Sequence, residues 1–414
     1  MKIAFLTLGC KLNYAETSTY RRGFEEAGLE VVPWQQKADI YLINTCSVTA
    51  TSDSKSRNLI RKVHRVNPDA RIVVTGCSAQ LRRSEIEAIE GVWRVFGSAE
   101  KSAVVPETLR SFCDSEGKGD DTTSNMVTFF GAYGAGDRTR AFLKVQDGCD
   151  NRCLYCTVPL ARGESRNLPI CECVRMAEEI ARSGAKEVVI TGVNTGDFGR
   201  STGESFLDLL KALDKVEGIE RYRISSIEPN LLTDEILDWI AAGSKIQPHF
   251  HIPLQTGCDE LLQAMGRHYD TAFFEEKIQS VRRKLGESVF LGIDVMVGLP
   301  GETPELFRQT VDFLEKIRPA FIHVFPYSRR PGTPAATMPD QVSEQVKKER
   351  VEVLEQLCRK LHDEFVASQK GTRVKVLFES KEKDGTMSGY TGNYIRVSRP
   401  CDKALVGSIV EIDL

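Results

Sequence analysis

Gln146-Asp147-Gly148-Cys149-Asp150-Asn151-Arg152-Cys153-Leu154-Tyr155-Cys156 follows directly on Ala141-Phe142-Leu143-Lys144-Val145, an apolar run that reads as a strand. Three cysteines spaced C-x3-C-x2-C in one short loop let three thiolates face a common centre. A [4Fe-4S] cluster normally takes four thiolates, so a three-cysteine loop leaves one iron open to a group chelating through amine and carboxylate. The alternatives are a structural zinc site, which prefers paired CxxC or Cys/His knuckles with four protein ligands, and three buried thiols. Cys171 and Cys173 lie too far on, at a predicted helix start, to complete a knuckle.

Working outward, Glu187–Gly192, Arg221–Ser226, His249–Leu254, Val289–Gly298 and Phe321–Ser328 repeat the strand pattern with helical segments between them. Six parallel strands predict an α/β fold with an open, partial (β/α)6 barrel, whose reactive groups gather at the strands' C-terminal ends. The residues there are Gly192 and Asn194, then Glu228 as acceptor for a ribose hydroxyl or ammonium, then Gln255, Asp294 and Gly298. With Tyr155 they are the candidates for cofactor contact, set against ordinary loop punctuation by Gly and Pro. His251 reads as a proton donor or as a packing residue.

Ahead of the barrel, Ile3–Leu8, Ile40–Ile43 and Arg71–Thr75 alternate with helices over Glu16–Ala27, Asp53–Val66 and Ser84–Glu90, which implies an open parallel sheet covered by helices. Cys10, Cys46 and Cys77 each follow one of those strands. In such a sheet the loops after the carboxyl ends emerge on one edge, so residues distant in sequence converge. Three matching placements favour a second ligand set over three small buried hydrophobes. The helix opened by Asp53 carries Lys55, Arg57, Arg61, Lys62 and Arg65, a solvated face or a phosphate-tracking one. Residues 113–137 have linker composition. After a charged helix from Val342 to about Ser368, a period-two pattern with turn signals at Lys383-Asp384-Gly385 predicts a small antiparallel β-barrel over 369–414.

The 414 residues are 41% hydrophobic and 27% charged with a net charge of −3, so any nucleic-acid contact must come from local basic patches. Twelve cysteines without a signal segment point to a reducing, cytoplasmic setting in which thiols serve metal. No stretch has the roughly 18 apolar residues of a membrane helix. Cys113, Cys171, Cys173, Cys258, Cys358 and Cys401 match no ligand spacing.

C-x3-C-x2-C with Tyr155 resembles the radical S-adenosylmethionine (SAM) signature, and Leu8-Gly9-Cys10-Lys11-Leu12-Asn13 with Asn44-Thr45-Cys46-Ser47-Val48-Thr49 resembles the methylthiotransferase N-terminal region. The barrel-end runs Pro253-Leu254-Gln255-Thr256-Gly257, Val297 to Thr303 and Pro326 to Thr333 resemble the core of the same family, and 369–414 resembles the TRAM module. The lysine after the first cysteine, the Ser47-Val48-Thr49 run and Lys55-Ser56-Arg57 look most like the branch acting on tRNA N6-threonylcarbamoyladenosine at position 37.

The resemblance implies domains at 1–112, 138–368 and 369–414 joined by the linker. It implies one [4Fe-4S] cluster on Cys149, Cys153 and Cys156 that cleaves SAM to a 5'-deoxyadenosyl radical. A second, auxiliary [4Fe-4S] cluster on Cys10, Cys46 and Cys77 carries the sulfur. The implied partners are the tRNA anticodon loop and an electron donor such as flavodoxin or ferredoxin, with no membrane. Arg162-Gly163-Glu164-Ser165-Arg166 resembles the family's R-G-x-x-x-S-R run shortened by two residues and reads as anion or substrate contact. Arg162, Arg166, Arg329, Tyr390 and Tyr394 join Lys55, Arg57 and Arg61 as candidates for RNA contact. The rival activities are methylthiolation of isopentenyladenosine or of a ribosomal-protein aspartate, cobalamin-dependent methylation, whose D-x-H-x-x-G motif is absent, and a non-catalytic iron-sulfur RNA-binding protein.

Overall fold

Strand β3 (Ile40–Thr45) is buried along its whole length, as a strand covered on both faces must be. The computed structural model describes residues 1–113, 129–136 and 138–414. Around β3 lie β1 (Lys2–Thr7), β2 (Glu30–Val31), β4 (Arg71–Gly76) and β5 (Val92–Val95), all parallel in the order β2-β1-β3-β4-β5. Helices α1 (Lys11–Glu26) and α2 (Ala50–Val66) cover opposite faces: Tyr20 and Phe24 of α1 pack on Ile40 and Leu42, while Ile60 and Val63 of α2 pack on Tyr41 and Ile43. Both helices start earlier than their hydrophobic pattern. Cys10 caps α1 with no side-chain bond, and the Thr49 side chain accepts the Ser52 N–H to cap α2. The helix expected over Ser84–Glu90 is the short α4 (Arg83–Glu87), preceded by another short helix, α3 (Cys77–Leu81). A last helix, α5 (Val104–Cys113), ends the segment.

Within the stretch read as linker, β6 (Ala132–Gly134) is ordered as an antiparallel edge strand on β7 (Arg140–Lys144). Its glycine is there for packing, since a Cβ on Gly134 would lie 2.9 Å from the Tyr14 ring. The remainder of that stretch, 114–128 and 137, lies outside the described residues. After the short pair β8 (Gln146–Asp147) and β9 (Arg166–Asn167), the barrel strands follow as β10 (Glu187–Thr191), β11 (Arg221–Ile224), β12 (His249–Gln255), β13 (Phe290–Val297) and β14 (Phe321–Pro326). β7, β10 and β11 are parallel neighbours, as are β12, β13 and β14, and single bridges Tyr222–Ile246 and Ser226–His251 link the two groups. Alternate residues point outward into one apolar core, as with Val188, Ile190, Ile293 and Val295. The others line the interior.

The C-terminal segment is an open antiparallel sheet rather than the closed barrel its pattern suggests. Its strands β15 (Arg373–Lys383), β16 (Thr386–Thr391), β17 (Arg396–Pro400) and β18 (Ile409–Asp413) run in the order β17-β16-β15-β18. Asp384 and Gly385, with φ of 54° and 71°, form the two-residue β15–β16 turn. The sheet docks on the amino-terminal ends of the barrel strands. Arg221 donates to the Lys375 carbonyl at 2.7 Å, and Arg223 donates to the Thr391 and Gly392 carbonyls, each at 2.7 Å, while holding Glu187.

This docking engages Tyr390 and Tyr394, the pair expected to stack on RNA, in contacts within the chain. Tyr394 lies against the His249 ring at 4.5 Å, stacks on Tyr390 at 4.8 Å and accepts from Arg140 at 3.0 Å. The aromatic pair is spent on closing the barrel floor. Tyr394→Ala is expected to cost about 3 kcal/mol, the lower end of large-aromatic truncations, seen as a reduced denaturation midpoint. A base-stacking platform would instead lose tRNA affinity at an unchanged midpoint.

Candidate active site

Gly148 holds a φ of +74°, and a Cβ there would fall 1.9 Å from the Glu164 carbonyl oxygen, so only glycine lets the cysteine loop turn against the chain that follows it. The Cys149 N–H donates to the Gly163 carbonyl at 3.1 Å and Leu154 N–H to that of Met265 at 3.1 Å. Gln146 pins the loop from beneath: its amide donates to the Gly148 carbonyl at 2.8 Å and the Ser165 hydroxyl at 3.0 Å, and its oxygen accepts the Asn194 N–H at 2.9 Å. The Val158 N–H donates to Cys156 Sγ at 3.4 Å, and Arg267 Nη1 donates to Cys153 Sγ at 3.1 Å. Burial, with the charge of the neighbouring thiols added, pushes Cys149 up to about 11 and Cys156 up to about 12. Such thiols ionise when a bound cation supplies the missing charge, which is the environment an iron cluster fits.

Cys10, Cys46 and Cys77 stand after β1, β3 and β4, three adjacent strands. The loops touch. A Cβ on Gly9 (φ +107°) would lie 2.8 Å from Cys46 Cβ, and one on Gly76 (φ +100°) would lie 2.3 Å from the Thr45 carbonyl oxygen. Asn13 ties the edge together by donating to the Leu8 and Thr45 carbonyls at 2.9 Å each. Burial raises Cys46 and Cys77, and the charges of the other thiols of the set add to it. Among the described residues no three His, Cys, Asp or Glu side chains are placed to hold a single ion. Ligands of different corners of an iron cube need not converge on one point.

The two sets are joined by buried charge. Glu16 of α1 accepts from Lys101 at 2.8 Å and Lys144 at 2.7 Å, while Asp147 pairs with Lys144 at 2.7 Å and with Arg162 at 2.8 Å. Burial alone would raise the Glu16 pKa, but Lys101, Lys144 and Arg162 outweigh it and hold the carboxyl well below the usual range. Arg162 also reaches Glu16 at 3.2 Å and Asn13 Oδ1 at 2.5 Å, and Cys77 and Cys10 lie within its electrostatic reach. A residue from the segment after the first cysteine loop thus faces the second set. At 3% exposure it is closed to phosphate. Its RNA-contact assignment is corrected; Arg166, partly buried, pairs with Asp147 at 3.5 Å and donates to the Arg162 carbonyl. A second clamp joins Arg330 to Asp53 and to Ser47 Oγ at 2.8 Å, with Ala50 N–H donating to Ser328 Oγ at 3.2 Å.

Residues 2–97 match the uncharacterized protein family UPF0004, and residues 143–314 match the radical SAM superfamily. The chain is 39% identical over its full length to the threonylcarbamoyladenosine tRNA methylthiotransferase MtaB of Bacillus subtilis (strain 168), 93% of which is covered. It is 36% identical over the full length of both chains to the protein of the same name from Aquifex aeolicus (strain VF5). The chain belongs to the radical SAM methylthiotransferases. A further relative, the tRNA-2-methylthio-N(6)-dimethylallyladenosine synthase of Alkaliphilus oremlandii (strain OhILAs), is 31% identical over 99% of this chain and 89% of its own. Among solved structures, the radical SAM methyltransferase TsrM from Kitasatospora setae, with cobalamin and a [4Fe-4S] cluster bound, superposes with a TM-score of 0.58. It covers 94% of this chain and 80% of its own at 16% identity, a likeness of fold.

In this methylthiotransferase the expected site residues also have partners within the chain. Gly192 makes room for Gln146, whose Oε1 lies 2.9 Å from where its Cβ would be, and Gly298 (φ +76°) makes room for Lys347 at 2.3 Å. Asn194 Oδ1 accepts the Glu228 N–H at 3.4 Å. Glu228 pairs with Arg267, which also donates to the Tyr155 hydroxyl at 3.4 Å, and burial raises the Glu228 pKa. Gln255 takes a φ of +74° at a register shift in β12. Asp294 is bonded to His251 Nε2 at 2.6 Å. Lys55 and Arg61 are exposed on α2, Arg57 pairs with Glu85 at 3.5 Å, and exposed Arg329 donates to the Ala336 carbonyl at 2.6 Å. Arg267, Gln146, Asn13 and Glu16 lay outside every expectation. The only signals for them are Lys144, a lone charge in an apolar strand, and the Asn13 that ends the first cysteine motif.

Proposed function

We propose that this methylthiotransferase converts the C2–H of N6-threonylcarbamoyladenosine at position 37 of tRNA into C2–SCH3. Cys149, Cys153 and Cys156 would hold one [4Fe-4S] cluster and Cys10, Cys46 and Cys77 a second. The observation that carries the reading is the buried network in which Arg162 pairs with Asp147, at the start of the first cysteine loop, and with Glu16 and Asn13 beside the second set, which supports two sites serving one substrate atom. When bound, the two clusters and SAM supply hydrogen abstraction at C2, the inserted sulfur and its methyl group.

The protein's own part is placement. Gln146 and Gly148 set the loop, Arg267 donates to Cys153 Sγ and holds Glu228, and Glu228 with Asn194 presents acceptors for the ribose or ammonium of SAM. Clamped units matter because a reactive group must meet one C–H bond and no other. Lys55, Arg61 and Arg329 supply phosphate contacts on the exposed side. The reading divides the chain at 1–112, 138–368 and 369–414, and takes a flavodoxin- or ferredoxin-class donor in a cytoplasmic setting. Among the described residues no helix is long and apolar enough to cross a membrane.

The test is mass spectrometry of tRNA nucleosides from cells with and without the gene. The 2-methylthio derivative of threonylcarbamoyladenosine should vanish and its unmodified parent accumulate. Loss of 2-methylthio-isopentenyladenosine instead would overturn the substrate assignment.

A further inference from the structure

Helix α1 packs against β6 and β7, and its residue spacing decides which of its side chains face the barrel interior. Tyr14 packs edge-on against Phe142 at 5.4 Å, and Ala15 shares a cluster with Phe142, Val189 and Ala132, so the 14/15 side faces the interior-pointing residues of β7 and β10. Lys11 precedes these two by three and four positions and therefore shares their face. It is exposed by area, yet apart from the adjacent Cys10 the groups its charge meets are Arg140, Arg223, Asp294, His249 and His323, all interior positions of barrel strands. The water it meets is that of the lumen.

Each of the charged neighbours is already engaged. Arg140 holds Glu379 at 2.9 Å, Arg223 holds Glu187 at 2.7 Å, and Asp294 is bonded to His251 at 2.6 Å. Among the described residues Lys11 has neither an ion pair nor a hydrogen bond. Lys11 is thus the lumen cation left to meet an incoming anion, one residue from Cys10.

On the substrate reading above, we propose that Lys11 receives the carboxylate of the N6-threonylcarbamoyl group inside the barrel and thereby selects that adenosine over one bearing an uncharged N6 chain. The threonyl end carries one carboxylate, whereas a prenyl chain carries no charge. A site built to pair a charged partner discriminates against an analogue lacking that charge, because its own polar group is left unpaired.

The experiment compares two anticodon stem-loop RNAs, one with the free threonylcarbamoyl acid and one with its methyl ester, on reconstituted full-length wild type, Lys11→Met and Lys11→Arg. Wild type should prefer the acid by roughly ten- to hundredfold in KM and in binding without turnover, the range for a hydrogen bond to a charged group. Lys11→Met should lose that preference by weakening for the acid alone, at unchanged iron content, and Lys11→Arg should retain it. Wild type treating acid and ester alike would overturn the inference, as would Lys11→Met losing both equally, and neither result needs the substrate reading to fail. Wild type ignoring both threonylcarbamoyl RNAs while modifying a prenylated one would sink the parent reading itself.

Discussion

Glu16→Gln is expected to lower the unfolding free energy by about 3–5 kcal/mol, the range for breaking one side of a buried ion pair. In the native chain Glu16 and Asp147 offset Lys101, Lys144 and Arg162, all nearly inaccessible. The substitution leaves three buried cations to one carboxylate. Because the cost is uncompensated charge rather than lost volume, removing a cation as well, as in Glu16→Gln with Lys144→Met, should recover much of it; a mere packing defect would add a second loss instead. The pH dependence gives an independent reading. Both carboxyls have folded pKa values held below their unfolded ones, so their contribution is complete above the unfolded value of about 4 and drains away as pH falls toward the folded one. Denaturant titrations below pH 5 should therefore show a shallower acid decline in Glu16→Gln than in wild type. Equal slopes would mean that Glu16 is not ionised in the native protein.

The strands were legible because burial on one or both faces writes itself into sequence as alternation or as an apolar run, and the loops at their carboxyl ends follow from topology. That is why Cys10, Cys46 and Cys77 could be placed on one edge without coordinates. Partnership between side chains has no such periodicity. Arg162 and Arg166 read as anion contacts because an arginine beside a candidate site looks the same in sequence whether it faces phosphate or a buried carboxylate; Glu16, which decides the matter for Arg162, lies 146 positions away. Tyr390 and Tyr394 pose a similar ambiguity, since an aromatic pair on a small β module serves base stacking or docking alike, and the docking surface is built by Arg221, Arg223 and His249 from another part of the chain. The glycines split along the same line. Gly9, Gly148 and Gly298 take positive φ in turns that their own segments describe, but the neighbours that crowd them, and the Gln146 that requires Gly192, are announced by nothing nearby.

Cys46→Ala and Cys153→Ala are expected to fail differently, and the difference is complete rather than graded. Reconstituted wild type should carry about eight irons per chain if both three-cysteine sets hold a [4Fe-4S] cluster. Each variant should carry about four. Cys153 sits in a loop pinned by Gln146 and Arg267, neither of which touches the β3 edge. Loss of Cys46 therefore leaves that loop's supports in place, and Cys46→Ala should still cleave SAM when reduced while transferring no methylthio group to tRNA. Cys153→Ala should do neither, although its β1, β3 and β4 edge, tied by Asn13, remains folded. The shared element is Arg162, and it sets the limit of this independence. Cys77 and Cys10 lie within its electrostatic reach and the ion pair with Asp147 ties it to the other loop, so in Cys46→Ala the surviving cluster's spectrum and potential should shift while its iron content does not. Loss of SAM cleavage in Cys46→Ala at four retained irons would mean that the sets act as one unit through that arginine, and four irons in wild type would remove the second cluster altogether.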